Sequence, residues 1–101
     1  MKVKQFHNKN QFLIYDKDYY TFQSYDSTIA TIENGELTLF KNWDYSHTTL
    51  KHLYLFLSEF ACVITNDKTA DIVYAILDEN HNKRKAIQDA IDKKQIRYKG
   101  E

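Results

Sequence analysis

The chain has 101 residues, 43% hydrophobic and 28% charged, a composition that points to one globular domain over 1–101 and excludes disorder. A single cysteine, Cys62, excludes an intramolecular disulfide, and the polar opening Met1–Gln5 gives no sign of a secretory leader, so a cytoplasmic protein is expected. Net charge is zero but unevenly spread: 1–10 hold three lysines and no acid, 11–82 four lysines against eleven acids, and 83–101 seven cations against three acids. Such segregation implies two electrostatic faces if the chain ends meet in space.

The first half reads as two hairpins. Gln11–Tyr15 and Tyr19–Gln23 flank a three-residue turn, Asp16-Lys17-Asp18, which would place Phe12, Ile14, Tyr20 and Phe22 on the core face. Thr28–Glu33 and Glu36–Phe40 flank Asn34-Gly35, the residue pair a type I′ turn requires, because both central positions need positive φ. This register pairs Ile32 with Leu37 and Ala30 with Leu39. It leaves Thr31, Glu33, Glu36, Thr38, Ile29 and Phe40 on the other face.

Beyond Lys41 the period changes to helical. Leu50, Leu53, Tyr54, Leu57, Phe60, Ala61 and Ile64 recur in steps of three and four, and Ser46 or Thr48 can cap the start. A shorter helix from Thr69 to Asp78 and a third from Lys83 to Lys94, capped by Asn82, follow; Gln95–Tyr98 has strand character. The expected fold is therefore α+β: an antiparallel sheet of two N-terminal hairpins packed on a long amphipathic helix, then two shorter helices and a short C-terminal strand. The longest apolar stretch, Leu53–Val63, is interrupted by Ser58 and Glu59 and is too short for a membrane span.

Catalytic and metal chemistry find little support. His47 and His52 are five residues apart and do not share a helical face, and His7 and His81 lie in polar segments, so no metal or other cofactor is expected. Cys62, beside Phe60 and Ala61, reads as a buried structural thiol. The carboxylates of Asp16 and Asp18 belong to a turn, where desolvation is weak. A binding protein, not an enzyme, is the expectation.

Two candidate surfaces follow. Eight tyrosines and six phenylalanines exceed what this core needs, and tyrosine suits an interface. An acidic, aromatic protein-binding surface would use Tyr15, Tyr19, Tyr25, Asp26, Glu33, Glu36, Trp43, Asp44 and Tyr45. The run Asn42–His52 places Trp43, Tyr45 and several hydroxyls at a strand-to-helix junction, a corner where amides and hydroxyls can hold an anion, although Asp44, Ser46 and Thr48 also serve as caps and Trp43 as a plug. A nucleic-acid surface would use Lys83, Arg84, Lys85, Lys93, Lys94 and Arg97, with strand tyrosines stacking on bases. No proline guards any strand edge, so a homodimer is compatible with the sequence.

Phe22-Gln23-Ser24-Tyr25-Asp26-Ser27-Thr28-Ile29-Ala30, the Asn34-Gly35 hairpin, and Trp43-Asp44-Tyr45-Ser46 leading to Thr48-Thr49-Leu50-Lys51-His52-Leu53 resemble a family of short proteins carried by phages and plasmids of low-GC Gram-positive bacteria. The match covers roughly 11–60. This resemblance implies a setting, not an activity. Small proteins of such elements often inhibit host defence, as anti-CRISPR proteins inhibit the RNA-guided nuclease Cas9. The partner it implies is a host protein, Cas9 or its guide-RNA complex, whose basic channel the acidic middle would cover. The alternative is a nucleic-acid-binding accessory protein of phage or plasmid maintenance.

Overall fold

The computed structural model describes residues 2–6, 8–25, 27–79 and 82–100. Among the described residues the fold is α+β, a six-stranded sheet and three helices. The strands are β1 (Lys2–Phe6), β2 (Asn8–Asp16), β3 (Tyr19–Ser24), β4 (Ser27–Glu33), β5 (Glu36–Phe40) and β6 (Arg97–Lys99). Between β5 and β6 come α1 (His47–Phe60), a 3₁₀ turn (Ala61–Val63), α2 (Asp67–Asp78) and α3 (Lys83–Asp92). The strands lie side by side in chain order, antiparallel except for the parallel pair β5–β6.

The Asn34-Gly35 hairpin forms in the expected register, Ile32 opposite Leu37 and Ala30 opposite Leu39. Asn34 and Gly35 have φ of 52° and 81°, the signs a type I′ turn demands. Glycine is required there twice over, by its positive φ and because a Cβ would lie 2.1 Å from Thr65 Oγ1; its carbonyl accepts the Thr65 N–H at 2.9 Å.

The first hairpin differs from expectation. Its turn has two residues, Lys17-Asp18, and Asp16 belongs to β2, opposite Tyr19. One residue fewer in the loop moves β2 by one position, and a strand's side-chain period of two then exchanges its faces. Leu13 faces Phe22 and Tyr15 faces Tyr20. Leu13 is buried at 2% exposure, and Phe12 and Ile14 sit half-buried on the opposite face. Ile29 is also reassigned. Phe22 pairs with Ala30 but Gln23 with Thr28, so Ile29 is the extra residue of a β-bulge. The bulge turns its side chain into the core, where 1% of it is exposed. Lys2–Phe6, unassigned from sequence, pairs with β2 as an edge strand.

The face carrying Leu13, Phe22, Ala30, Ile32, Leu37 and Leu39 holds the core, which buried residues of all three helices join. The α1 helix lies along β3: the Phe22 and Phe56 rings stack at 5.8 Å, and Tyr20 meets Phe60 at 5.1 Å. Ser46 caps α1, its Oγ accepting the Thr49 N–H at 3.1 Å. At the other end the helix stops at Phe60, and the 3₁₀ turn leaves Cys62 exposed instead of buried. Asn66 caps α2, which begins at Asp67, two residues before the expected Thr69, and its Oδ1 accepts from the Lys68 and Thr69 amides. On the sheet's other face, Thr21, Thr31 and Thr38 stand in one cross-strand row.

Gly35→Ala should cost about 1–3 kcal/mol, since the added methyl meets Thr65 and the backbone stays left-handed. A urea titration of wild type and variant measures it, and Asn34→Gly in the same turn should be nearly neutral.

Candidate functional site

The fold divides the expected protein-binding residues between opposite ends of the sheet. At one end the β2–β3 and β4–β5 turns touch, the Asn34 N–H donating to the Asp18 carbonyl at 2.8 Å. Asp16, Asp18, Glu33 and Glu36 are all exposed on this tip. Tyr19, half-buried, stands opposite Glu33. The Asp16 carboxylate accepts the Lys17 N–H at 2.9 Å, and this bond holds its pKa below the usual carboxylate value. Tyr15, one residue before Asp16, packs half-buried against the core on the helix-covered face.

At the opposite end lie the β3–β4 turn and the loop from β5 to α1. Tyr25, at φ 54°, adopts a conformation that favours glycine, and the Gln23 carboxamide holds it by donating to the Tyr25 carbonyl at 3.1 Å. Asp26 lies outside the described residues, as do His7 and His81. Trp43 is buried at 2% exposure, so it plugs the core and is not available to a partner. Tyr25 and Tyr45, by contrast, are 48% and 71% exposed. They flank a cleft of about 490 Å³ whose other lining residues are Ser24, Ser27, Ile29, Asn42, Ser46 and Thr49. Its hydroxyls are ordered: Ser24 Oγ lies 2.9 Å from Thr49 Oγ1, Ser46 Oγ 3.1 Å from the same atom, and Asn42 donates to Ser27 Oγ at 3.2 Å. Behind it His52 is buried, Nδ1–H donating to the Thr48 carbonyl at 2.8 Å, whereas His47 is exposed. Among the described residues no group of three His, Cys, Asp or Glu could hold a metal.

A second cleft, about 550 Å³, lies between α1 and the start of α3 and is lined by His47, Leu50, Lys51, Tyr54, Glu79, Asn82, Lys83 and Arg84. Burial raises the Tyr54 phenol above its usual pKa, against the opposing pull of Arg84. Lys83 Nζ donates to the Leu77 carbonyl at 3.0 Å and to the Glu79 carbonyl, a cation on the negative end of α2.

The basic tail does not form a face apart from the acidic middle. Arg84 binds Asp44 through Nε at 3.1 Å and Nη2 at 2.7 Å. Arg97 pairs with Glu36 at the acidic tip. Of the expected nucleic-acid set, Lys85 is exposed beside Arg84, and Lys93 and Lys94 are exposed after α3. Lys94 and Arg97 also line a third cleft, about 950 Å³, together with Leu37, Ile72, Ile91 and Ile96. Two surface ion pairs, 40 and 61 residues apart in sequence, therefore join the oppositely charged parts of the chain. No signal in the sequence pairs residues so far apart.

Each pair is solvated, so the coupling of Arg84→Ala with Asp44→Ala in a double-mutant cycle should fall below about 1 kcal/mol and shrink further in high salt. Thermal unfolding of the four proteins measures it.

The model of a family of unknown function (DUF8033) matches residues 1–73, and the chain belongs to that family. The match takes in both turns of the acidic tip and the whole Tyr25–Tyr45 cleft, but ends within α2, before Lys83 and Arg84. No curated protein and no solved structure matches the chain.

Proposed function

We propose that this member of the DUF8033 family is a stoichiometric binding protein that occupies a nucleic-acid-handling partner, and that the partner is a host-defence nuclease or its guide-RNA complex. The acidic tip carries the reading. Four exposed carboxylates, Asp16, Asp18, Glu33 and Glu36, converge on two turns that hydrogen-bond each other, with Tyr19 beside them. Lys17 and Arg97 lie among them, Lys2 stands opposite Tyr15, and the positive N-terminus acts on Asp16, so part of the tip's charge is offset. A nuclease channel lined by Lys and Arg is its electrostatic complement. Tyr19 adds a ring of low conformational entropy at the edge of the patch. The mobile-element setting rests on the resemblance given above.

A second reading, binding of nucleic acid itself in phage or plasmid maintenance, draws on one observation, the cleft that holds Lys51, Lys83 and Arg84.

The two readings separate in a pull-down from a lysate that contains Cas9 and its guide RNA, run with and without nuclease treatment. The inhibitor reading expects nuclease-resistant recovery of the protein partner. Charge reversal at Asp18 and Glu33 should slow association by about tenfold or more at low salt, while circular dichroism stays unchanged. Recovery of nucleic acid alone would sink it.

A further inference from the structure

The first turn of α1 separates two clefts of different chemistry. Ser46 and Thr49 line one; His47 and Leu50, the residues that follow each of them, line the other. Among the described residues, the side chains that line the first cleft are uncharged: their polar groups are hydroxyls and the Asn42 carboxamide, and the exposed Tyr25 and Tyr45 are among them. The second carries Lys51, Lys83 and Arg84 against Glu79.

Behind the neutral cleft lies an unmet polar demand. Gln11 is the register partner of Ser24 and is 1% exposed, yet neither its Oε1 nor its Nε2 has a hydrogen-bond partner. Its Cβ therefore stands about 5 Å from that of Ser24, on the same face of the sheet. A buried carboxamide with both atoms unpaired is costly, and here it adjoins the hydroxyl pair Ser24–Thr49 that forms the cleft wall.

We propose that these two clefts are one nucleotide site for a single-stranded nucleic acid. The base enters the neutral cleft, stacks on Tyr25 and Tyr45, and presents its edge to the hydroxyls and Asn42. The phosphate beside it crosses the first turn of α1 and rests against Lys51 and Arg84. The pairing of Arg84 with Asp44 supports this arrangement, because it fixes the start of α3 against the loop that carries Tyr45. Aromatic platforms take an unstacked base and so select single strands over duplex. A neutral cleft for the base beside a cationic one for the phosphate is the division of labour that a nucleotide requires. The proposal rests on the second reading above and says which residues would execute it.

The test is fluorescence anisotropy of the full chain with short labelled oligo-uridine and oligo-thymidine, and with a duplex of the same length. Wild type should bind the single strands in preference to the duplex. Tyr25→Ala and Tyr45→Ala should each weaken binding about tenfold or more, with Tyr45→Phe close to wild type. Lys51→Ala should reduce the slope of log affinity against log salt by about 0.7. Both tyrosines are surface residues, so the variants should fold, and circular dichroism checks it. Oligonucleotide binding that survives both tyrosine substitutions would overturn the site while leaving nucleic-acid binding in place. No binding of any oligonucleotide by wild type at low salt would overturn the site and the second reading together.

Discussion

Two aromatic contacts, Phe22 with Phe56 and Tyr20 with Phe60, fix α1 along β3, and the clefts beside α1 take their position from that seat. The rings sit four residues apart on the helix and two apart on the strand, so the pair sets both the axial position and the direction of α1. With α1 so placed, Thr49 reaches Ser24, and Ser46 closes the cleft beside Tyr45. Loss of the seat would release the hydroxyl network and the two-cleft arrangement together. The acidic tip depends on it less, since its two turns are held by the hairpins and by the bond from Asn34 to Asp18.

The charge map shows how much a linear sequence conceals. Acidic middle and basic ends suggest two faces, yet Arg84 and Arg97 each return to an acid of the middle segment. Such exposed pairs add little stability. Their effect is to place cations locally: Arg97 tempers the acidic tip, and Arg84 brings a basic turn beside a neutral, aromatic cleft. The molecule therefore carries small patches of mixed character, and a partner would be selected by their arrangement more than by overall attraction.

Features set by neighbours in sequence were legible. Asn34-Gly35 specified its turn, the three-four spacing specified α1, and Ser46 and Asn82 cap the helices assigned to them. Features set by partners far along the chain were not. The first hairpin's faces hinge on whether Asp16 ends a strand or opens a turn, and the sequence serves both. Ile29 reads as surface until the bulge opposite Phe22 and Gln23 turns it inward. β1 has little alternation of its own and is a strand because β2 pairs with it. At the candidate sites, Tyr25, Tyr45, Glu33 and Glu36 are exposed and Tyr19 is half-buried, while Trp43 takes the role of core plug that the sequence also allowed. The cleft between α1 and α3 was missed because Lys51 and Lys83 are brought together only by tertiary packing.

The central claim is that the chain works by presenting its acidic tip to a partner protein. Amide hydrogen exchange on the complex recovered by pull-down, compared with the protein alone, tests it most directly. The account predicts slowed exchange concentrated in 16–19 and 33–36. Protection confined to other surfaces, with those two turns unchanged, would contradict it.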